Sequence, residues 1–283
     1  MQQYSNPNLL SYYVYLQPKT SQWVTFIHGA GGSSIIWYKQ IKAFHEHYNV
    51  LLIDLRGHGN SKQKPTTNSL SFDEVVEDII DVVNHLGIQT SHFVGISLGT
   101  IIIRQLADTH PHRVDSLTMA GAIMRLNLRS QILMSFGMLS KSFIPYMWLY
   151  RFFAYIIMPR KNHKKSRQLF IQEAKKLTQQ EFIRWFSLSA QVNPLLKKLR
   201  LATNTMPCLY LMGSEDAMFL PSIQKLVLQK PINSSLVIAA NCGHVANIDS
   251  ADFFNEQCIF FIGNVIKDFT LATKAVKQVD ETF

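Results

Sequence analysis

A chain of 283 residues is long enough to bury a full hydrophobic core, either as one large α/β domain or as two smaller domains. Its hydrophobic fraction of 47% and charged fraction of 17% exclude an intrinsically disordered protein. The formal net charge of +9 is unevenly spread, because residues 122–200 carry 15 Lys and Arg against two Glu. That basic segment contains no known nucleic-acid recognition module, so we expect no nucleic-acid partner.

Hydropathy and cysteine usage predict a soluble, cytoplasmic protein. The first ten residues lack the basic and apolar regions of a secretory signal. The longest apolar stretch is interrupted by Pro145 and Arg151, and it falls short of the roughly 20 apolar residues that a membrane-spanning helix needs. The cysteines Cys208, Cys242 and Cys258 are odd in number and lack CxxC spacing, which favours buried free thiols in a reducing compartment.

Short β-branched or aromatic runs alternate with helix-length amphipathic stretches, which predicts a mostly parallel sheet with crossover helices. Ser71 begins the clearest helix: Glu74 stands three positions later, as in a capping box, an apolar stripe follows, and Gly87 ends it. The strands predicted in the first half of the chain are Tyr12–Leu16 at the sheet edge, Trp23–His28, Val50–Asp54, Ser91–Ile96 and Ser116–Gly121.

Residues 122–205 break this alternation. They are basic, rich in methionine and aromatic residues, and helical in period, which indicates a lid or cap inserted into the α/β unit. We therefore divide the chain into an α/β core, residues 1–121 and 206–283, and a helical cap, residues 122–205. After the cap, the sequence predicts the strand Pro207–Met212, the helix Ser222–Gln229, the strand Ser235–Ala239 and the helix Ala251–Lys267.

The strongest local signal is the pentapeptide Gly-Ile-Ser-Leu-Gly at residues 95–99, between an apolar strand and a helical run. In a nucleophile elbow, a strained strand-to-helix turn lifts a serine hydroxyl above the sheet. The flanking glycines are needed because neighbouring backbones approach closely. Ser97 is therefore the candidate nucleophile. The alternative is a Ser/Gly turn without chemistry.

An acid and a histidine should follow the nucleophile, each just after a strand near the C-terminus. The first of these strands runs into Glu215 and Asp216, and the second runs into a glycine-containing loop that holds His244. A Gly-x-x-Asp turn favours Asp216 as the acid, although the sequence leaves Glu215 open. His244 is the candidate general base.

Two further motifs complete the pattern. Residues 28–32 read His-Gly-Ala-Gly-Gly after an early strand, and residues 54–61 read Asp-Leu-Arg-Gly-His-Gly-Asn-Ser. With these motifs the chain resembles the α/β-hydrolase superfamily, in the branch that holds esterases, C–C bond hydrolases, lactonases and haloperoxidase-like proteins. The resemblance covers residues 12–121 and 206–268. It implies an α/β-hydrolase fold: a mostly parallel central sheet, helices on both faces, and a helical cap inserted after the sixth strand.

The resemblance also implies roles for individual residues. It assigns the oxyanion hole to the backbone N–H groups of Ala30 and Leu98, and it places Trp37 where the family often has a tryptophan. His28 is expected to brace its loop rather than to catalyse. The side chains of residues 54, 56 and 58 are expected to hold their turn together. The sequence lacks a dinucleotide fingerprint, a P-loop and a metal-spaced Cys/His cluster, so a cofactor-free, metal-free enzyme is expected.

The basic cap admits two interpretations. Its aromatic and methionine side chains could pack the cap helices while the basic side chains form a solvated face. Alternatively, they could line an acyl pocket while the positive charge attracts an anionic substrate or contacts a membrane surface peripherally. We expect a pocket because a cap over the elbow must roof the site. The candidate pocket residues are Gly29, Trp37, Met124, Phe136 and Trp148.

The leading functional hypothesis is a carboxylesterase-like serine hydrolase that cleaves an ester, lactone or thioester of a small-molecule acyl substrate through an acyl-enzyme. Two alternatives stay open: a C–C bond hydrolase on the same triad, and a weakly catalytic hydrolase-like ligand sensor. An intact triad is compatible with all three, since a fold alone never fixes the reaction. The chain is expected to be a monomer or a homodimer.

Overall fold

A computed structural model of the chain describes residues 2–4, 8–61, 70–141, 143–201, 205–229 and 233–280. Eight strands form one sheet in the order β1-β2-β4-β3-β5-β6-β7-β8. These strands are β1 (Gln2–Tyr4), β2 (Tyr12–Tyr15), β3 (Trp23–Ile27), β4 (Asn49–Ile53), β5 (Ser91–Ile96), β6 (Val114–Ala120), β7 (Cys208–Gly213) and β8 (Ser234–Ala239).

The sheet is mostly parallel, as the sequence predicts. Strands β3 to β8 are all parallel to one another, whereas β2 pairs antiparallel with β4. Every residue of β4, β5 and β7 is buried, which explains why these strands are continuous apolar runs rather than alternating ones. The prediction that Tyr12–Leu16 lies at the sheet edge is wrong, because β1 pairs antiparallel with β2 on its outer side. The polar sequence of β1 gives no strand signal.

Eleven α-helices accompany these strands in the described part of the chain. The helices of the core are α1 (Ile41–His45), α2 (Phe72–His85), α3 (Leu98–Thr109), α9 (Leu220–Gln229), α10 (Ala246–Asp249) and α11 (Ala251–Asp280). The helices between β6 and β7 are α4 (Leu128–Ser140), α5 (Tyr146–Ile157), α6 (Lys164–Ala174), α7 (Gln179–Ser187) and α8 (Ser189–Leu201). At the start of α2, the predicted capping box of Ser71 and Glu74 is present in both directions.

Apolar side chains cover both faces of the sheet. On one face, Ile79 of α2 and Ile102 of α3 pack with the sheet residue Phe93 in one cluster. On the other face, Phe44 of α1 and Phe254 of α11 belong to a second cluster. The result is a three-layer α/β/α core, whose parallel strands all end at the edge of the sheet that carries the candidate site.

The cap follows the sixth strand, as expected. Its helices α4 to α8 lie within the predicted bounds of 122 and 205, of which residues 202–204 fall outside the described residues. Leu149 and Tyr150 of α5 pack with Phe182 of α7 in an apolar cluster that belongs to the cap itself. Among the described helices, none is both long enough and apolar enough to cross a membrane.

Candidate active site

Ser97 lies at the tightest point of the β5–α3 connection. Its backbone has φ 54° and ψ −120°, a conformation that is costly for any residue other than glycine and is typical of strained functional turns. Gly99 makes this turn fit, because a Cβ atom there would stand 2.5 Å from the carbonyl oxygen of Ile27 on the neighbouring strand. The elbow therefore presses against β3 and holds the Ser97 hydroxyl at the carboxyl end of the sheet.

A continuous hydrogen-bonded chain links the three candidate catalytic side chains. His244 Nε2 lies 2.9 Å from Ser97 Oγ, and His244 Nδ1 lies 2.7 Å from Asp216 Oδ2. Asp216 and His244 are buried, and the Phe219 ring lies against the imidazole with centroids 5.2 Å apart. The backbone N–H of Phe219 also donates to Asp216 Oδ1. Because Asp216 accepts from Nδ1–H, Nε2 is left as the acceptor that faces the serine hydroxyl.

Glu215, the other acid that the sequence left open, points away from His244. It accepts hydrogen bonds from Arg160, Asn162 and His163 in the segment between α5 and α6. The hydrogen bond from Asn162 lowers the pKa of Glu215 below its usual range. Burial opposes that effect, and His163 and Arg160 add to it. Glu215 therefore ties the cap to the loop that carries Asp216.

The loop of residues 28–32, here called the early loop, lies close to the elbow. Backbone groups of the loop and of the elbow can therefore face the same position. The Gly29 backbone packs against Ser97, since a Cβ atom added at Gly29 would stand 3.1 Å from the Ser97 Cβ atom. Leu98 is the first residue of α3, so its N–H has no acceptor within the helix. Ala30 makes a different contact, since its carbonyl accepts a hydrogen bond from the Tyr150 hydroxyl. In the described part of the chain, the Ala30 N–H has no hydrogen-bond acceptor.

Two buried imidazoles support this loop, in agreement with the bracing role expected of His28. His28 Nε2 accepts from the Leu55 N–H at 2.9 Å, and His58 Nε2 accepts from the Gly31 N–H at 3.0 Å. Burial lowers the pKa of His28 to about 4. Burial, together with the neighbouring His28, lowers the pKa of His58 to about 3. Both rings are therefore neutral at pH 7, so in each ring Nε2 accepts from a backbone N–H while Nδ1–H donates to a backbone carbonyl, of Gly29 for His28 and of Arg56 for His58.

The turn at residues 54–61 is held by its own side chains, also as expected. Asp54 accepts from the backbone N–H groups of Ser34 and Asn60 at 2.7 and 2.9 Å. Arg56 forms a bidentate, buried pair with Asp78 of α2. The turn also contacts the cap, because Trp185 Nε1 donates a hydrogen bond to the Arg56 carbonyl.

Above these residues lies a cavity of about 260 Å³ between the core and the cap. Ser97 and His244 belong to its lining, together with aromatic side chains from the helices between β6 and β7, such as Phe153 and Phe182, and from the α/β core, such as Phe219. Among the described residues that line it, none is Lys, Arg, Asp or Glu. The basic side chains of the cap therefore lie outside the cavity.

A sequence profile of the alpha/beta hydrolase fold matches residues 22–155, which include the early loop, the elbow and the start of the cap. Solved hydrolases share the architecture of most of the chain. A carboxylesterase of the thaumarchaeon Nitrososphaera gargenis superposes with a TM-score of 0.75 at 20% identity, over 94% of this chain and 100% of that one. The chain has the α/β-hydrolase fold.

Comparison with further proteins of this fold limits what the likeness shows. The enol-lactonase of Burkholderia xenovorans superposes with a TM-score of 0.76 at 18% identity, over 90% of this chain and 96% of that one. At such identities, structural likeness establishes the fold alone. The 3-oxoadipate enol-lactonase 1 of Acinetobacter baylyi is 28% identical over 109 residues, which are 38% of this chain and 40% of that protein. The first curated relatives are matched over only 31–40% of their own length.

Within this α/β-hydrolase fold, four of the five predicted pocket residues are not at the cavity. Gly29 belongs to the lining. Trp37 is fully buried in the core against Phe26 and Phe254, because the short 3₁₀ turn that carries it directs its ring toward the sheet. Met124 is buried in the other core cluster. Phe136 and Trp148 lie on the outer sides of α4 and α5 and are exposed.

Sequence reasoning missed two contacts that join the cap of this hydrolase fold to its site. One is the hydrogen bond from Tyr150 to Ala30, and the other is the group of cap residues around Glu215. Helical spacing does place Tyr150 and Phe153 on one side of α5 and Trp148 and Phe152 on the other. Since both sides are apolar, periodicity could not decide which one faces the core.

Proposed function

We propose that this protein is a serine hydrolase that cleaves a carboxylic ester, lactone or thioester through an acyl-enzyme. The observation that carries the proposal is the chain of hydrogen bonds from Ser97 through His244 to Asp216, at the wall of an apolar cavity. A serine hydroxyl is a weak nucleophile unless an adjacent base takes its proton, and that arrangement is present here.

In the proposed reaction, Ser97 Oγ attacks the carbonyl carbon of the substrate as its proton passes to His244 Nε2. The imidazolium then donates that proton to the leaving oxygen or sulfur, and the acyl group stays on Ser97. Water, activated by His244, next attacks the acyl-enzyme and releases the acid. Asp216 keeps Nδ1 protonated and stabilises the imidazolium in both steps.

The negative charge that develops on the carbonyl oxygen needs donors that are already in place. We assign these to the N–H groups of Leu98 and Ala30. The Leu98 N–H lies at the positive end of α3, and the Tyr150 hydroxyl restrains the backbone next to the Ala30 N–H by bonding the Ala30 carbonyl. One such donor contributes about 3–4 kcal/mol to the stability of the transition state.

The cavity supports an uncharged, apolar acyl group as the substrate. None of the described lining residues is Lys or Arg, so a substrate carboxylate would lose its hydration there without a permanently charged partner, which is strongly unfavourable. This observation shifts the expectation from an anionic substrate to a neutral one. The cap, as the roof of the cavity, would set the length and shape of the acyl chain that fits.

Labelling with a fluorophosphonate tests the nucleophile. We expect stoichiometric labelling of the wild type and none of Ser97→Ala. Ser189→Ala is the matched control, because Ser189 also lines the cavity but its buried hydroxyl has no hydrogen-bond partner in the described part of the chain. Labelling of Ser97→Ala, or loss of labelling in Ser189→Ala, would contradict the assignment.

Turnover separates an enzyme from a ligand sensor. We expect steady hydrolysis of p-nitrophenyl esters over many cycles, with the highest kcat/KM for an uncharged acyl chain that fills the cavity. A single burst of p-nitrophenol followed by no turnover would instead indicate a sensor that is acylated but does not release its ligand. A matched set of ester, lactone and thioester substrates would then identify the bond that is cleaved.

A further inference from the structure

The outer surface of the cap is apolar and uncovered. Helix α4 presents Leu128, Ile132, Phe136 and Leu139 to solvent, and helix α5 presents Trp148, Phe152, Tyr155 and Ile156. Phe143, between the two helices, is 88% exposed. The rings of Phe136 and Phe152 are in contact, with centroids 5.6 Å apart, so the two rows form one continuous surface. We call these nine residues the outer cap face.

The residues of the outer cap face do not line the cavity, so a role in the cavity does not explain why they are apolar. The cavity is lined by other residues of the same helices, such as Leu133 and Met134 of α4 and Phe153 and Ile157 of α5. A helix that is apolar on all sides is normally buried on all sides. Here one side is buried against the cavity and the other is open. Exposed apolar patches of this extent mark interaction sites.

The charges around the outer cap face are all of one sign. Residues 122–160 include five basic residues (Arg125, Arg129, Lys141, Arg151 and Arg160) and no Asp or Glu. Arg129 and Arg151 lie on the exposed sides of α4 and α5, among the apolar residues of the face, and neither is part of an ion pair in the described residues. Arg160 pairs with Glu215, but no acidic residue in the described part of the chain neutralises Arg129 or Arg151.

We propose that the outer cap face docks onto the surface of an anionic lipid bilayer. The apolar side chains would enter the boundary between headgroups and acyl chains, while the arginines contact lipid phosphates. Trp148 and Tyr155 suit that boundary, because each has an apolar ring and a polar group. A second copy of the chain fits less well, since a symmetric contact would bring the same positive charges together.

Vesicle binding tests the proposal without reference to catalysis. Trp148 serves as a reporter, because it is 73% exposed while Trp37 and Trp185 are buried and Trp23 is partly buried. On addition of vesicles of equal parts phosphatidylcholine and phosphatidylglycerol, we expect a blue shift of its fluorescence. Brominated lipid should quench it. Vesicles of phosphatidylcholine alone should bind much more weakly, and added salt should weaken binding to the anionic vesicles.

A triple variant locates the contact. Replacing Leu128, Leu139 and Phe143 by Ser removes three highly exposed side chains that do not line the cavity. We expect the partition coefficient to fall by about tenfold or more, with hydrolysis of a soluble ester unchanged. The matched control replaces Leu16, Leu228 and Phe260 by Ser, three exposed apolar residues outside the cap, and it should bind like the wild type. Arg129→Gln with Arg151→Gln should weaken binding to anionic vesicles only.

Three results would overturn the proposal. The first is a wild type that does not bind anionic vesicles under low salt. The second is equal weakening by the triple variant and its control, which would indicate nonspecific adsorption. The third is a concentration-dependent dimer, measured by sedimentation without lipid, that the triple variant abolishes, because the occupant would then be a second copy of the chain. Failure of vesicle binding with intact esterase activity would leave the proposed catalytic function standing.

Discussion

The imidazole Nε2 of His163 lies 2.7 Å from Glu215 Oε2, and Glu215 is the residue immediately before Asp216. Two adjacent acids at the end of β7 therefore face opposite ways. Glu215 contacts the cap, and Asp216 contacts His244. Since one peptide bond joins them, cap attachment and orientation of the candidate base depend on the same short loop.

The two acids should respond differently to neutral replacement. Asp216→Asn removes the acceptor that fixes the histidine tautomer, and it should reduce kcat by about 10⁴-fold. Glu215→Gln keeps an oxygen that can accept a hydrogen bond and should reduce kcat by less than about tenfold. Steady-state hydrolysis of a p-nitrophenyl ester measures both. The reverse order of effects would mean that Glu215, rather than Asp216, orients the base.

Tyr150 should act on the rate through the backbone at Ala30. Tyr150→Phe removes the hydroxyl that bonds the Ala30 carbonyl, so the Ala30 N–H should be held less firmly. We expect kcat to fall roughly 3- to 10-fold with little change in KM, since the lost contact is one neutral hydrogen bond.

Tyr146→Phe is the control for that variant. Tyr146 lies on the same helix, but its hydroxyl bonds the Leu177 carbonyl within the cap. Equal losses in the two variants would indicate general loosening of the cap and not an effect on the oxyanion site. A rise in KM with unchanged kcat in Tyr150→Phe would indicate a role in substrate binding.

Most of the core could be predicted from sequence because its signals are local. Strand β5 has the bounds predicted for it, the capping box at Ser71 is present, and the motif around Ser97 lies between a strand and a helix. These features depend on short-range backbone chemistry and on burial of continuous apolar runs. The order of the acid and the histidine after the serine also singled out Asp216 and His244. In the structure, His244 lies within hydrogen-bond distance of both Asp216 and Ser97.

The cap was less predictable because its sequence carries two apolar faces. Trp148 and Phe136 were expected inside and are outside, whereas Tyr150 and Phe153 face the cavity. The helical period shows which residues share one side of a helix, but it does not show which side faces the core. A difference in hydrophobicity between the two sides usually shows that. In α4 and α5 that second signal is absent. The error at Trp37 has another cause, since sequence proximity to the early loop does not fix the direction of a side chain in a 3₁₀ turn.

Acid should destabilise the protein through His28 and His58. Their pKa values in the folded state are about 4 and about 3, against about 6.5 in the unfolded chain. Between pH 6.5 and 4 the unfolded chain binds protons that the folded protein does not, so the free energy of unfolding decreases as the pH falls through that range. At pH 5 each ring should reduce it by on the order of 2 kcal/mol.

Urea unfolding at pH 7.5 and pH 5 measures this effect. The variant His58→Gln should show a smaller difference between the two pH values than the wild type, because its amide oxygen can accept from the Gly31 N–H without titrating. For each protein, the free energy of unfolding at pH 5 is compared with its own value at pH 7.5. A general loss of stability in the variant therefore does not affect the difference. An unchanged pH difference in His58→Gln would show that other groups dominate acid unfolding.

A charge on the acyl group should lower kcat/KM through its effect inside the cavity, and not only through attraction outside it. The cap carries a net positive charge, and long-range attraction alone would favour anionic substrates at low salt. The cavity opposes this, because none of its described lining residues is Lys or Arg, and an acyl carboxylate would be desolvated there without a permanently charged partner. We therefore expect kcat/KM for an uncharged p-nitrophenyl ester to exceed that for an ester of equal length ending in a carboxylate by at least about 100-fold.

Salt separates the two effects in that comparison. Exposed charges are screened over about 10 Å at 0.1 M salt, whereas loss of hydration inside the cavity is not. The preference for the uncharged ester should therefore persist from low to moderate ionic strength. Replacing Lys161, Lys164 and Lys165 by Glu should leave kcat/KM for the uncharged ester unchanged, because these lysines are exposed and absent from the cavity lining. A preference for the anionic ester that disappears in salt and in this triple variant would instead assign the basic cap to substrate attraction.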